Sequence, residues 1–513
     1  MRQPRLMDSA VRDPYSRIGA AAHPATIAAM HPLPAIATGD LILDRALRAA
    51  LGDIAGNIVP ASIGLLDPGT PVLMAGLTYE AWTRDAAINC WGALNALDPA
   101  TARATLRGEV VRTDGAWRMR GQYWDAAVWT IGAWDHALWT GDRAFLAFAR
   151  EASADWLARM EREEFSPELG LFRGPAFFQD GVAGYPDRYA DAGGGSCILD
   201  WVAHHPAERH PLGTGLPMHA LSTNAIHARA YGILGEMDRA LGTTPDPHHA
   251  AMAARVRDGI MAHLWMPERG RFRYLADPWG GDDRQEGAGH AFASLFGIGP
   301  AAAVLELDTA PAGLPCLTPG YPRYAGLGIG RHSGLVWPHV EGLVAEAAAR
   351  AGRPEAAWAA LARMAGRIHR DGMVTECYDP VTGLPDGGVQ EIDPGAPADW
   401  HAWCLEGRVG TAQGHPVHRW RSQPRVCWGA ATLWRLVLRI LAGLDPAPDG
   451  LRIRPCLPPG AAPLHLSGIR WHGAILDIRI EPGRVHRMTV DGRPADRVPA
   501  GVEGRIAVRL TAA

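Results

Sequence analysis

The chain has 513 residues, of which 47% are hydrophobic and 20% charged, with a formal net charge of −4. This composition is typical of a globular protein with a large core, and the length allows roughly three domains. A slightly acidic balance argues against nucleic acid or an anionic membrane as the main partner, because both attract a basic surface. The sequence contains no lysine, which excludes a Walker A phosphate loop and Schiff-base chemistry on a lysine amine.

Cysteine usage and hydropathy indicate a reduced compartment. The 7 cysteines are scattered and form no C-x-x-C pair, which is typical of free thiols and not of a zinc site or a disulfide framework. The N-terminal segment lacks the apolar centre of a signal peptide, and no run of about 18 apolar residues is present to span a membrane. We therefore expect a cytoplasmic protein without metal or cofactor, whose oligomeric state the sequence does not reveal.

In chain order, the predicted elements begin with an irregular, Pro- and Ala-rich arm over residues 1–38. From residue 39 to 444 apolar residues recur at helical spacing, and short turns such as Thr140-Gly141-Asp142 separate adjacent helices. The predicted helices span 41–56, 80–96, 122–140, 143–163, 220–242, 246–265, 287–298, 336–351, 354–369 and 425–443. Five or six consecutive helical hairpins can close into an all-α (α/α)6 toroid, and the absence of a fixed repeat disfavours a superhelical array.

Two connections, 164–219 and 371–424, are too long to be simple turns, and both are rich in Gly, Pro, Asp and aromatic residues. Long loops in a compact domain are usually functional. We therefore predict an active site where these two loops meet, at one mouth of the barrel. Over residues 445–513 apolar and polar residues alternate between turn residues, which predicts a small C-terminal antiparallel β domain.

Tryptophan is in excess, with 19 residues. Many tryptophans lie beside Asp, Arg or His in Gly- or Pro-rich segments, where a flat apolar face next to polar groups suits a sugar. Core packing explains most of the 19 equally well. The tryptophans in polar surroundings are Trp82, Trp124, Trp337, Trp400, Trp403 and Trp428.

The first long loop contains two candidate general acids. Asp180 follows two phenylalanines, and Asp187 lies between Tyr185 and Tyr189. A carboxyl group packed among aromatic rings has a raised pKa, which a general acid at neutral pH requires. Asp-Gly and Pro-Asp are also common turn dipeptides, so the spacing leaves both roles open for both residues.

Glu376 in the second long loop, just before a turn, is a candidate for activating a water molecule, although it could equally be a surface residue. Near the starts of predicted helices, Arg84, Asp85 and Asp125 could bind sugar hydroxyls or serve as favourable N-terminal charges. Carboxylates on opposing loops with aromatic platforms suggest glycoside hydrolysis. In the inverting form of that reaction the two carboxyl groups stand about 6.5–9.5 Å apart to admit water.

Seven segments in order resemble the six-hairpin glycosidases, which include trehalase, the mannosyl-oligosaccharide glucosidases and the glucosidase part of glycogen debranching enzyme. The resemblance covers about residues 80–458, and the segments are WTRDAAI, YWDAAVWTIGAWDHALWTGD, GLFRGPAFFQDG, STNAIHARAYGIL, GLVWPHVEG, TECYDPVTG and RVCWGAATLWRLVLRILAGLDPAPDGLRIRPCLP. It implies an (α/α)6 barrel and inversion at the anomeric carbon. It also implies that Glu376 is the base and Asp180 the acid, with Asp187 as the second candidate for the acid.

The expectation is therefore an inverting glycoside hydrolase acting on a small oligosaccharide or glycoside, with an α-glucosidic linkage as the first to test. The residues expected to line the sugar site are Trp82, Arg84, Asp85, Trp124, Asp125, Trp337, His339 and Trp428; the resemblance places the first three in the −1 subsite. The alternatives are a sugar epimerase or isomerase, a lyase or a phosphorylase on the same toroid, or a non-catalytic carbohydrate-binding protein. An epimerase or isomerase would use histidines as its acid and base, and the candidates are His219, His227, His290 and His339.

Overall fold

The computed structural model describes residues 34–122, 124–392, 402–483 and 487–512. Its helices are α1 (Leu41–Gly56), α2 (Thr83–Asn89), α3 (Asn95–Leu97), α4 (Pro99–Gly108), α5 (Asp125–Thr140), α6 (Arg143–Glu164), α7 (Trp201–His204), α8 (Leu221–Leu241), α9 (Pro247–His263), α10 (Gly287–Leu295), α11 (Pro338–Arg350), α12 (Pro354–Asp371) and α13 (Cys427–Leu436). One π-helical turn joins α2 to α3, and another extends α13. The predicted helical body is confirmed.

Local sequence signals set many of these helix ends. The Asp40 side chain accepts hydrogen bonds from two backbone N–H groups in the first turn of α1, and the Asp142 side chain accepts one from the Phe145 N–H in α6. Gly141 and Gly242 adopt left-handed conformations that end α5 and α8. Helix α4 was not predicted, although Asp98 caps it and Pro99 occupies its first position.

Six helices contact one another in a closed cycle. Helix α2 packs against α5, α5 against α8, α8 against α10, α10 against α11, α11 against α13, and α13 against α2. Every residue of α2 and of α13 is buried, as expected for helices that are surrounded on all sides. Helices α1, α6, α9 and α12 pack against members of this cycle and keep an exposed polar side.

The C-terminal strands are Leu444–Ala447, Gly450–Ile453, Leu464–Trp471, Ala474–Pro482, Arg487–Val490, Arg493–Pro494, Val498–Pro499 and Arg505–Ala512. The expectation of a purely antiparallel unit was wrong, because Ala474–Pro482 pairs in parallel with Arg505–Ala512. Between these two strands in sequence lies the hairpin of Arg487–Val490 and Arg493–Pro494. The last strand returns between that hairpin and Ala474–Pro482, so the six-stranded sheet is mixed. The domain boundary at residue 445 stays a prediction.

The end of the predicted N-terminal arm is not irregular. Strand Ala35–Ala37 pairs antiparallel with Leu464–Trp471 and buries Ile36. Without this strand, Leu464–Trp471 would present an open sheet edge with unpaired backbone groups, which is unfavourable. The arm up to residue 33 lies outside the described residues.

Short strands decorate the loops between helices. They are Ile58–Ala61, Thr70–Leu73, Val110–Thr113, Ala116–Met119, Phe165–Ser166, Leu171–Phe172, His219–Ala220, Trp265–Met266, Arg271–Phe272, Leu275–Asp277, Gly280–Asp282, Gln285–Glu286, Leu317–Thr318, Val389–Gln390, Leu405–Ala412 and His415–Trp420. The last two form a hairpin within the second long loop, and its turn residues Gln413 and Gly414 both have positive φ. All seven cysteines are free. Within the described ranges, no helix is long and apolar enough to cross a membrane.

Candidate active site

Asp180 lies in the first long loop, which folds back on itself. The Ile198 N–H donates to the Asp180 carbonyl at 2.7 Å, and the Val182 N–H donates to the carbonyl of Ser196. Phe178, two residues before Asp180, has a positive φ of 55°, a conformation that is uncommon for a bulky residue. These backbone bonds fix the chain at and just after Asp180, whose side chain keeps 30% of its surface exposed.

Arg84 gathers three carboxyl groups in a buried cluster. Because α2 begins at Thr83, Arg84 and Asp85 lie in its first turn. The Arg84 guanidinium is 3.6 Å from Asp85, 3.6 Å from Asp125 at the start of α5, and 3.7 Å from Asp180. One buried cation is therefore shared among three acidic side chains from three elements.

Burial sets the protonation of this cluster. Desolvation raises the pKa of Asp85 to about 7, against the opposing effect of Arg84, and it raises the pKa of Asp125 to about 6. The negative charges of Glu376 and Asp180 add to the rise at Asp85. The acidic residues of both long loops therefore lie within electrostatic reach of the same buried carboxyl group.

Glu376 is held by donors on both carboxylate oxygens. The Tyr79 hydroxyl donates to Oε1 at 2.9 Å, and Nη2 of Arg331 donates to Oε2 at 2.5 Å. The backbone N–H of Glu376 donates to the Gln423 carbonyl. Such charge-assisted hydrogen bonds orient a carboxylate strongly, so this buried side chain has a defined position.

Aromatic rings pack beside the Arg84 cluster and Glu376. The His339 ring stacks on Trp428 with centroids 4.0 Å apart, and it contacts Phe178 edge-on at 4.7 Å. Trp337 lies 5.6 Å from Trp428, nearly perpendicular to it. The result is a rigid apolar wall adjoining the charged cluster.

The structure brings most of the predicted site residues together. Asp180, Arg84, Asp85 and Asp125 form the charged cluster, and Trp428 lies under the Arg84 guanidinium at 5.9 Å. Three more predicted residues lie in the neighbouring parts of the site: Glu376 is bound to Arg331, and Trp337 and His339 contact Trp428. Trp82 is half-buried and contacts Tyr79 at 4.7 Å, and Trp124 is fully buried immediately before α5.

Asp187 does not join this group. It is exposed at the start of a short 3-10 turn, next to Arg188, whose guanidinium pairs with Asp277. Its Pro-Asp dipeptide forms a turn, as that dipeptide commonly does.

Two of the histidines considered for epimerase chemistry are packing residues, since His227 stacks on Phe172 and His290 forms a hydrogen bond with the Glu286 carbonyl. Trp400 lies outside the described residues.

Three residues of the site were missed from the sequence: Tyr79, Arg331 and His332. His332 Nε2 lies 3.2 Å from Asp180 Oδ1, and the ring stacks on Trp337 at 5.2 Å. Burial lowers the pKa of His332 to about 4, although the Asp180 charge opposes this. A signal was present, because Arg331 and His332 stand as adjacent basic residues in a glycine-flanked segment shortly before the GLVWPH motif.

Several buried polar atoms of the site have no hydrogen-bond partner within the described part of the chain. They are Nε of Arg84, Oδ2 of Asp85, Oδ1 of Asp125, both ring nitrogens of His339 and Nε1 of Trp428. Buried polar atoms normally have hydrogen-bond partners, and here the carboxyl oxygens of Asp85 and Asp125 have only the ion pairs with Arg84 at 3.6 Å. Among the described residues, no group of three or more His, Cys, Asp or Glu side chains is arranged to hold a metal ion.

Comparison with solved structures shows the fold. A sialidase superposes with a TM-score of 0.60 at 14% identity, covering 89% of this chain and 38% of its own. A GH78 rhamnosidase of a Bacillus species superposes with a TM-score of 0.56 at 14% identity, covering 93% and 44%. This chain therefore spans about two fifths of the length of those two proteins.

A GH63 mannosylglycerate hydrolase from Thermus thermophilus, in complex with Tris and D-glycerate, superposes with a TM-score of 0.52 at 16% identity. The match covers 76% of this chain and 99% of that one. No curated protein sequence matches the chain. The model of one protein family matches residues 76–391, a span that contains both Asp180 and Glu376. The chain belongs to that family, the mannosylglycerate hydrolase MGH1-like glycoside hydrolase domains.

Proposed function

We propose that this protein is an inverting glycoside hydrolase in which Asp180 is the general acid and Glu376 the general base. The observation that carries the proposal is that two loops far apart in sequence hold Asp180 beside Arg84 and Glu376 on Arg331, and that both carboxyl groups interact electrostatically with buried Asp85. Family membership supports hydrolysis of a glycosidic bond. The residue roles rest on the geometry around each carboxyl group.

The surroundings of Asp180 suit a general acid. Its side chain is partly exposed and neighbours the Arg84 cluster, so it can reach the glycosidic oxygen of a sugar bound there. Transfer of its proton to that oxygen lets the bond to the anomeric carbon break and the alcohol leave. The exposed fraction of the side chain allows Asp180 to regain a proton from solvent.

The surroundings of Glu376 suit a general base. A base must be ionised, and Glu376 accepts hydrogen bonds from the Arg331 guanidinium and the Tyr79 hydroxyl, donors that bind a carboxylate. Different arginines pair with Asp180 and Glu376. In the proposed inverting reaction, water enters between the two carboxyl groups and attacks the anomeric carbon from the face opposite the leaving group.

The Arg84 cluster and the aromatic wall form the proposed sugar subsite. Asp180, the accessible member of the Arg84 cluster, would meet the sugar, and the buried ion pairs of Arg84 with Asp85 and Asp125 would hold the floor of the subsite in place. The faces of Trp428 and Trp337 would pack against the apolar side of the sugar, as aromatic rings do in such sites. Trp82, Trp124 and His339 would complete its walls.

The proposed substrate is a small oligosaccharide or glycoside. The family takes its name from mannosylglycerate hydrolase, so a mannoside of a small hydroxy acid is one substrate to test, and a small α-glucoside is the other. The closed cycle of six helices supports the proposal that the helical body is an (α/α)6 toroid with this site at its mouth.

The test is hydrolysis of mannosylglycerate and a panel of α-glucosides and α-mannosides, followed by proton NMR. We expect the first product to be the sugar of inverted anomeric configuration, and we expect Glu376→Gln to lower kcat about a thousandfold while folding is retained. Retention of configuration, or full activity in Glu376→Gln, would contradict the roles assigned. Formation of a sugar phosphate only when phosphate is added would identify a phosphorylase, and an epimerised product an epimerase.

A further inference from the structure

We infer that Asp53 and Asn57, at the end of α1, are positioning residues that set the place of Glu376. They act through the backbone of the loop that carries this carboxylate, and they touch neither sugar nor water in the proposed mechanism. The inference rests on the proposed role of Glu376 as the general base. It concerns how the main chain at Glu376 is placed relative to the helices, and not the groups that bind its side chain.

Glu376 lies on one of two neighbouring segments of the second long loop. Its backbone N–H donates to the Gln423 carbonyl at 2.9 Å, and the Gln423 N–H donates to Oε2 of Glu376 at 3.4 Å. One residue earlier, Thr375 pairs with Pro424 in an antiparallel bridge. These bonds fix the two segments relative to each other. A further contact is needed to fix the pair of segments relative to the helical body.

The last turn of α1 supplies that contact to both segments. The Val374 N–H, two residues before the proposed base, donates to Oδ2 of Asp53 at 2.7 Å. The Asn57 side-chain amide donates to the Arg425 carbonyl at 2.9 Å and to the Asp53 carbonyl at 2.8 Å. Asp53 and Asn57 are four residues apart, which is about one turn of an α-helix. One helical turn therefore holds the chain on both segments next to the proposed base.

The backbone of Arg425 is under constraint at this contact. Its φ of 54° is a left-handed conformation that is uncommon for a residue with a bulky side chain and persists only where the surroundings enforce it. Its carbonyl accepts from Asn57, and its Nε lies 3.7 Å from Oδ1 of Asp53. The main chain and the side chain of this residue thus both meet the same turn of α1.

Asp53 is a costly residue to bury, because a carboxylate without partners is poorly stabilised away from water. The residue is only 5% exposed. Burial raises the pKa of Asp53 to about 6, although the Val374 N–H and the Arg425 charge oppose the rise. Above that pH the ionised carboxyl group makes the stronger hydrogen bond to the Val374 N–H. Since a displacement of about 1 Å can lower a catalytic rate about a hundredfold, this bond controls turnover as well as stability.

The first experiment compares two replacements of Asp53 near pH 7.5. Asp53→Leu has a similar volume but no acceptor for the Val374 N–H, whereas Asp53→Asn keeps a side-chain oxygen there. We expect kcat to fall about thirtyfold in Asp53→Leu and less than about threefold in Asp53→Asn, with little change in KM. Equal kcat in the two variants would overturn the inference.

Asp44→Leu is the matched control for Asp53→Leu. Asp44 is a buried carboxylate of the same helix and accepts the Thr38 N–H at 2.8 Å, away from the loop that carries the proposed base. We expect kcat of this variant to equal that of the parent. A loss as large as in Asp53→Leu would overturn the inference, because any buried carboxylate of α1 would then have the same effect.

The second experiment shows whether the effect passes through Glu376. The residual activity of Glu376→Gln is measured with a glycosyl fluoride, whose leaving group needs little protonation. We expect Asp53→Leu to cause no further loss in this background, because two changes that act through one group are not additive. A further loss of about thirtyfold in the double variant would overturn the inference, since Asp53 would then act on another part of the site or on the fold as a whole.

Calorimetric titration separates misplacement of the base from loss of folded protein. Asp53→Leu should bind one equivalent of mannose or glucose, whichever sugar the panel releases, with the Kd of the parent. A reduced stoichiometry would overturn the inference. If Asp53→Leu does not fold, Asn57→Ala takes its place: we expect a loss of kcat of about tenfold and none in the Glu376→Gln background, and full kcat in Asn57→Ala would overturn the inference.

Failure of the proposed function has a different result. Glu376→Gln would then hydrolyse the substrate at the rate of the parent. The contrast between Asp53→Leu and Asp53→Asn on that substrate would still report whether α1 holds this loop.

Discussion

At the scale of single residues, the contacts around Gly181 leave no room for a side chain. Gly181 follows the proposed acid directly, and its φ of −86° is open to any residue. Its importance is therefore one of space, because His332 and Gln390 pack against its Cα atom. A side chain at this position would push both away from Asp180.

Gly181→Ala tests this contact. We expect a loss of activity of about tenfold or more, because the added methyl group would displace the two side chains next to the proposed acid. Steady-state kinetics on the substrate found by the panel would measure it. Gly52→Ala is the matched control: Gly52 lies in α1 with open space around its Cα, and alanine there should raise stability by about 0.5–1 kcal/mol without changing kcat. Normal activity in Gly181→Ala would show that the packing is looser than the structure indicates.

The sequence predicted the site in part, and the physical reason for each omission is visible. Asp180 and Glu376 became candidates because they stand among aromatic residues in long loops, and the resemblance to the six-hairpin glycosidases supplied their expected roles. The spacing did not separate Asp180 from Asp187, since only burial in the folded chain distinguishes a turn aspartate from a site aspartate. The adjacent basic pair Arg331-His332 was a weak local signal, and its membership of the site follows from contacts with the distant residues Glu376 and Asp180.

At the scale of elements, the loop that carries Asp180 is anchored to two helices. The Phe177 N–H donates to Oγ of Ser222 in the first turn of α8, and the Ser222 N–H donates to Glu286. Glu286 is the residue before α10 and is fully buried. One carboxyl group thus links the proposed acid loop to two helices of the closed cycle.

Glu286→Gln tests the protonation of this link. Burial raises the pKa of Glu286 to about 8, against hydrogen bonds from Ser222. The folded protein therefore holds this proton more tightly than the unfolded chain, and stability is lost as the pH rises from about 4.5 towards 8. Glutamine cannot ionise, so the variant should gain on the order of 3 kcal/mol relative to the parent between pH 5 and 8.

Urea unfolding at several pH values would measure that difference. Exposed Glu268→Gln is the control and should give no pH-dependent change. A constant difference between the Glu286→Gln variant and its parent at every pH would mean that Glu286 is ionised when folded.

Most helices of this fold could be predicted because long amphipathic segments and their capping residues are local signals. Helix α4 and the hairpin of Leu405–Ala412 and His415–Trp420 were missed. The hairpin occurs in a segment rich in Gly and Pro, and its identity depends on the Gln413-Gly414 turn and on pairing with Val389–Gln390. Pairing with a distant strand is a tertiary contact that sequence periodicity does not contain.

At the scale of the whole molecule, the C-terminal sheet and the helices share one hydrophobic core. Trp471 of the sheet is fully buried, contacts Trp139 of α5 at 5.8 Å, and donates from Nε1 to the Pro499 carbonyl. The His472 N–H donates to the Trp139 carbonyl. A shared core of this kind favours unfolding as a single cooperative unit.

We expect urea unfolding followed by far-UV circular dichroism and by tryptophan fluorescence to give coincident transitions. Trp471→Ala should lower the free energy of unfolding by about 3–5 kcal/mol, because it leaves a cavity between sheet and helices. Trp403 is 51% exposed, so Trp403→Ala should change the free energy of unfolding little. Two separate transitions in the unaltered protein would show that sheet and helices fold independently.

The cyclic arrangement of helices has a consequence for biogenesis. Helix α2 meets its neighbour α13 only after nearly the whole helical body has been synthesised, and Glu376 reaches Tyr79 only at that stage. A nascent or truncated chain would thus be inert towards its substrate, however much helix it had formed. During refolding, recovery of enzyme activity would report the formation of the contact between α2 and α13.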